Sequence, residues 1–137
     1  MSVTGEGGFT LVEMLVVLAI TGLIAGIGFP RLQAMVAAQE WRTGLSSAAA
    51  LLRAARAQSI RSGTVAQVSV AADGRRLRID GGNTIQLPES VSAVMPEPMG
   101  FFADGSARGG DMLIIGAGHR ARITVAPVTG LLTTGAP

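Results

Sequence analysis

The chain has 137 residues, 48% of them hydrophobic and 15% charged, with a formal net charge of +2 and no cysteine. This length leaves room for one small domain beyond a membrane helix, and the lack of cysteine excludes a disulfide framework. The pI of about 11.0 is weak evidence for a nucleic-acid partner, because without Lys, Tyr or Cys nothing titrates between His119 or the terminus and the arginines.

Residues Gly8 to Glu13 read Gly-Phe-Thr-Leu-Val-Glu and open an apolar run that lasts to Phe29, with Glu13 as its one charged side chain. As a helix rising 1.5 Å per residue, Phe9 to Phe29 would span roughly 30 Å, the thickness of a bilayer's hydrocarbon core. A carboxylate at mid-bilayer costs on the order of 2.5 to 3.5 kcal/mol on insertion scales, so Glu13 calls for a partner. An ordinary secretory signal would end in small residues of the Ala-x-Ala kind, which this run does not.

The block Gly8-Phe9-Thr10-Leu11-Val12-Glu13, followed by Met14-Leu15-Val16-Val17-Leu18-Ala19-Ile20, resembles the class III signal of type IV pilins and type II secretion pseudopilins. The resemblance implies cleavage by the prepilin peptidase between Gly8 and Phe9, N-methylation of Phe9, and retention of the apolar helix. It implies no cofactor. It also places the N-terminus in the cytoplasm, the helix across the bacterial inner membrane and the rest of the chain in the periplasm. The leader, Met1 to Gly8, departs from the usual basic pattern: it contains Glu6 and neither Lys nor Arg, and Arg31 and Arg42 lie on the far flank.

An α-amino group titrates near 7.7 to 8.0, so roughly at neutral pH a freed Phe9 is largely cationic, methylated or not. Glu13, four residues on, would share its helix face and can pair with it internally. The resemblance favours pairing with the amine of the next subunit, which neutralises two buried charges and fixes axial register. Solvation of Glu13 among lipid headgroups is the plainer alternative.

Beyond the span, Leu32, Met35, Val36, Leu45, Ala48, Ala49, Leu52, Ala55, Ser59 and Ile60 recur at spacings of three and four, with Arg42, Arg53, Arg56 and Arg61 mostly elsewhere on the wheel. One helix is expected from Phe9 to about Arg61, roughly 80 Å at 1.5 Å per residue, with Gly63 as its stop. Gly22, Gly26, Gly28 and Pro30 weaken it, each glycine by about 1 kcal/mol relative to alanine. They read either as a hinge, as the resemblance suggests, or, for Gly22 and Gly26, as a small-residue contact between helices.

From Thr64 the pattern changes to short strands. Val65 to Val70, Arg75 to Asp80, Asn83 to Leu87 and Ser90 to Met95 are candidates, with turns at Asp73-Gly74 and Gly81-Gly82-Asn83, and they suggest an antiparallel meander. Met112 to Ile115 and Ala121 to Val125 flank Gly116-Ala117-Gly118-His119 as a further hairpin, and Thr129-Gly130 marks another turn. The expected fold is α+β and pilin-like, a long N-terminal helix packed on a small antiparallel sheet domain. Its parts are a leader (1–8), a transmembrane or filament-core helix (9–29), an amphipathic continuation (30–62) and a periplasmic β-rich domain (63–137).

Phe101-Phe102-Ala103-Asp104-Gly105-Ser106-Ala107-Arg108-Gly109-Gly110, then Arg122-Ile123-Thr124-Val125 and Thr129-Gly130, resembles the C-terminal pattern of the GspH/FimT family of minor pseudopilins and pilins. Physically, Asp104-Gly105 and Gly109-Gly110 are turns, and Phe101 or Phe102 can anchor the loop in a core.

Catalysis finds no residue pattern to support it. The carboxylates Asp73, Asp80, Asp104 and Asp111 adjoin glycines in turns, no metal-ligand spacing or nucleophile elbow is present, and His119 reads as a solvated loop residue. No enzyme and no metal site is expected. The resemblance implies a minor subunit at or near the tip of a type II secretion pseudopilus, with other major and minor pseudopilins, the prepilin peptidase and the inner-membrane secretion platform as partners. The alternative is a FimT-like minor pilin of a type IV pilus, acting in assembly or DNA uptake. Arg108, Arg120 and Arg122 would then contact phosphates. Where DNA-binding members carry arginines after the Thr-Gly pair, this chain has Leu131 and Leu132, which makes nucleic acid the less expected partner.

Overall fold

A computed structural model of the chain describes residues 8–136; the expected leader, apart from Gly8, lies outside the described residues. Among the described residues, helix α1 (Leu11–Ser62) is followed by nine strands. The helix starts two residues later than the hydropathy suggests because Thr10 caps it. The Thr10 carbonyl accepts from the Met14 amide at 3.2 Å, and its Oγ1 accepts from the Glu13 amide at 3.2 Å. At the other end Gly63 adopts φ +68° and donates to the Ser59 carbonyl at 3.0 Å, a left-handed C-terminal stop that glycine adopts without steric cost. The assignment is helical across Gly22, Gly26, Gly28 and Pro30.

The chain divides into two units, one ending at Met35 and one beginning at Val36. The pattern change expected near Gly63 is therefore internal to the second unit, since the helix after Val36 shares a core with the strands. In the first unit the described large apolar side chains, from Phe9 through Leu32 and Met35, are all exposed. The helix is long and apolar enough to cross a membrane.

The second unit contains two antiparallel sheets. Strands β1 (Ala66–Val70), β2 (Arg76–Ile79), β3 (Thr84–Gln86), β5 (Met99–Phe101) and β6 (Ala107–Arg108) form one, in the order β3-β2-β1-β5-β6. Strands β4 (Val91–Val94), β7 (Asp111–Gly116), β8 (His119–Val125) and β9 (Leu132–Gly135) form the other, in the order β4-β7-β8-β9. The expected meander holds only for β1, β2 and β3. At β4 the chain leaves that sheet and pairs Val91 with Gly116 and Val94 with Leu113. The switch follows Pro88, whose carbonyl accepts from the Val91 amide at 3.0 Å in a turn.

Side chains alternate as a sheet with one covered face requires. Met112 and Ile114 of β7 and Ala121, Ile123 and Val125 of β8 face inward, while Arg120, Arg122 and Thr124 face out. Trp41, Ala48, Ala49, Leu51, Leu52, Ala55 and Ser59 of α1 close the core together with Val68, Leu77, Met99 and Phe101. Of the expected stripe, Leu32, Met35, Val36 and Ile60 are instead exposed, and Trp41 and Leu51 join the core.

Gly116 sets the closest approach within the second sheet. A Cβ there would lie 2.5 Å from the Ser90 carbonyl oxygen and 3.1 Å from the Val91 Cα, both backbone atoms that cannot rotate away. Gly116→Ala is expected to cost about 1 to 3 kcal/mol by overpacking. Urea unfolding followed through Trp41, the single tryptophan, measures this; an unchanged midpoint would contradict the packing.

Candidate functional site

At the N-terminus, Gly8, Phe9 and Thr10 are exposed, and Phe9 keeps 73% of its surface accessible. The Gly8–Phe9 bond therefore lies in exposed chain just outside the helix. Glu13 is exposed in the first turn of α1, where the helix dipole favours a carboxylate. Among the described residues it makes no ion pair. Thr10 was absent from the sequence reading as a site residue, yet Thr10-x-x-Glu13 is the spacing of a capping box, and that pattern would have identified it.

The C-terminal motifs meet on α1. Arg56 Nε donates to the Thr129 carbonyl at 3.2 Å and to the Gly105 carbonyl at 3.4 Å, and Ser59 Oγ donates to the Phe102 carbonyl at 3.1 Å. Gly105 (φ +84°) and Gly130 (φ +61°) both take left-handed backbone conformations at this junction. A Cβ on Gly130 would strike the Gly105 carbonyl and come within 2.8 Å of Arg56 Nε. The Asp104 carboxylate accepts from Ser106 Oγ at 2.6 Å and from the Ser106 amide at 2.9 Å, bonds that hold it below the usual carboxylate range. Asp104-Gly105 and Thr129-Gly130, far apart in sequence, thus form one tethered junction. Phe101 is its buried anchor and Phe102 is only half-buried. Arg56, assigned by periodicity to the solvent side, is its centre.

The three candidate phosphate-contacting arginines are not assembled into one patch. Arg120 and Arg122 share the outer face of β8, whereas Arg108 lies on β6 of the other sheet. Arg122 Nη1 is paired with Asp111 Oδ2 at 3.3 Å. His119 is exposed as expected, but it is the first residue of β8, and its ring stacks on Trp41 at a centroid distance of 5.9 Å. Its Nδ1 lies 2.7 Å from the Ala117 carbonyl oxygen. The stack joins the β7–β8 turn to α1.

Residues 4–29 match the family model described as the prokaryotic N-terminal methylation motif. The chain is 28% identical to the type II secretion system protein H of Xanthomonas campestris pv. campestris, over 93% of this chain and 82% of that protein. The structure aligns with the minor pseudopilin EpsH from the type 2 secretion system of Vibrio cholerae at a TM-score of 0.56 and 23% identity, covering 72% of this chain and 98% of that one. The chain shares a pilin-like α+β fold with this minor pseudopilin. The N-terminal motif and the junction at Arg56 lie in different units.

Arg56→Met and Gly130→Ala are each expected to lower stability by about 1 to 3 kcal/mol, through unsatisfied carbonyls and backbone strain respectively. Because both act at one junction, the double variant should lose less than the sum. Thermal unfolding of the four proteins measures the coupling, and strict additivity would place Arg56 outside the junction.

Proposed function

We propose that this chain is a minor structural subunit at or near the tip of a type II secretion pseudopilus, assisting export of folded proteins across the outer membrane. The observation that carries this reading is the coexistence of a prepilin-type N-terminus with a two-sheet domain like that of EpsH. The similarity to a type II secretion protein H across nearly the whole chain supports it. The work is mechanical. Prepilin peptidase releases residues 1–8, Phe9 is methylated, and the apolar helix anchors the subunit in the inner membrane with the N-terminus cytoplasmic. Neighbouring pseudopilin helices then cover its exposed apolar surface, and Glu13 meets the Phe9 amine of an adjacent subunit. The inner-membrane platform supplies the force, and the chain needs no catalytic group of its own.

Gly22, Gly26, Gly28 and Pro30 serve as a hinge in this reading. A Cβ on Gly22 or Gly26 would meet nothing within 4 Å, so among the described residues no neighbour demands their small size. The DNA-uptake reading draws less support, given the ion pair on Arg122 and the separate placement of Arg108.

Deleting the gene and comparing culture-supernatant proteomes with parent and complemented strains tests the function. A selective, complementable loss of exported proteins is expected; an unchanged supernatant would favour the type IV pilus reading. Glu13→Ala should leave cleavage after Gly8 intact while reducing co-purification with the other pseudopilins several-fold. Undiminished co-purification would refute the role given to Glu13.

A further inference from the structure

Four strands end the two sheets, and three of them are short or already engaged. β3 has three residues and β6 two, and the Ala107 amide of β6 donates to the Pro127 carbonyl at 2.8 Å. The Ala93 amide of β4 donates to the Gly74 carbonyl at 2.7 Å. Four-residue β9 pairs only with β8 among the described residues. It carries none of the features that usually guard an edge, such as Lys, Pro or an inward charge.

The register identifies which backbone groups are open. The Ala126 amide donates to the Leu131 carbonyl at 2.9 Å, which marks that pair as hydrogen-bonded. Such pairs alternate along an antiparallel ladder, so Thr133 and Gly135 face β8. Leu132 and Thr134 turn their amides and carbonyls to the open side.

A cavity of about 310 Å³ adjoins the start of β9, bordered by Arg53, Arg56, Gly130, Leu131 and Leu132. Arg56 is committed to carbonyls, whereas exposed Arg53 makes no ion pair among the described residues. Arg53 and Arg56 are the charged residues that border the cavity, and no carboxylate lines it, which leaves it cationic. Leu131 is 59% exposed and Val128 85% exposed, so the approach to the cavity is apolar.

We propose that the open edge of β9 and Arg53 form a docking site for an extended, carboxylate-bearing segment of a partner protein. The segment would add as a fifth strand beside β9, exchanging backbone hydrogen bonds with Leu132 and Thr134. One of its carboxylates would meet the Arg53 guanidinium, and an apolar side chain would cover Leu131. A nucleic-acid strand fits less well, since it has no use for the open backbone edge and meets only one uncommitted guanidinium in an apolar setting. The proposal does not depend on which export or pilus system the chain serves.

The test uses the full chain in detergent micelles and a fluorescent hexapeptide of alternating Thr and Val with one Asp. Saturable binding is expected, weakened roughly tenfold or more when the peptide amides are N-methylated, because the added strand then cannot hydrogen-bond. Arg53→Gln should weaken binding by roughly fivefold to tenfold, as should replacing the peptide Asp with Asn. Thr134→Pro, which removes an outward amide, should abolish binding without changing the Trp41 unfolding transition. The N-methylated peptide makes the same test with the protein unaltered. Failure of the peptide to bind, indifference to N-methylation, or binding only of a mixed-sequence DNA oligonucleotide would each overturn the proposal.

Discussion

Apolar surface that the chain does not bury by itself is the constraint on which its other features depend. Every described large hydrophobic residue of the first unit is exposed, and at about 25 cal/mol per Å² of apolar surface such a segment is untenable in water. Lipid or apolar surface from another molecule is needed to cover it. That demand fits a helix that is apolar all round, and it makes the lone carboxylate of Glu13 costly wherever neither water nor a cation reaches it. The second unit is free of this constraint because α1 from Trp41 to Ser59 finds a two-sheet core to cover.

One helical element thus meets two requirements with different side-chain patterns. Up to Phe29 the composition is nearly uniform and apolar. After Val36 it is amphipathic, with alanines and leucines inward and arginines mostly outward. Arg56 is the instructive exception. Its aliphatic stem lies against the domain while its guanidinium satisfies two loop carbonyls, which converts a helix position read as solvent-facing into the fastening point of the C-terminal loops. The glycines at 105 and 130 belong to the same device: a Cβ on Gly130 would strike the Gly105 carbonyl, and Gly105 holds a left-handed backbone conformation.

Much of this was legible in the residues. The apolar run, its lone glutamate and the Gly63 stop follow from composition and local chemistry, and six of the nine strands follow from alternation. Strand β5 escaped notice because Met99, Gly100 and Phe101 are all buried, so no polar alternation marks them. Strand β9 gives little signal because three of its four residues are exposed, so no buried alternation marks it. The division into two sheets was hidden for a different reason. Pairing of β4 with β7, or of β1 with β5, joins segments separated by intervening strands, and alternation within a segment does not identify its partner. At the N-terminus the motif identified Phe9 and Glu13, while Thr10 went unremarked although its capping role is local.

The most direct measurement is the intact mass of the protein extracted from its native membrane. A mature chain beginning at Phe9, carrying one methyl group and retaining the whole apolar helix, is what the account requires. A chain cleaved beyond Phe29 and released in soluble form, or one that keeps residues 1–8, would contradict it.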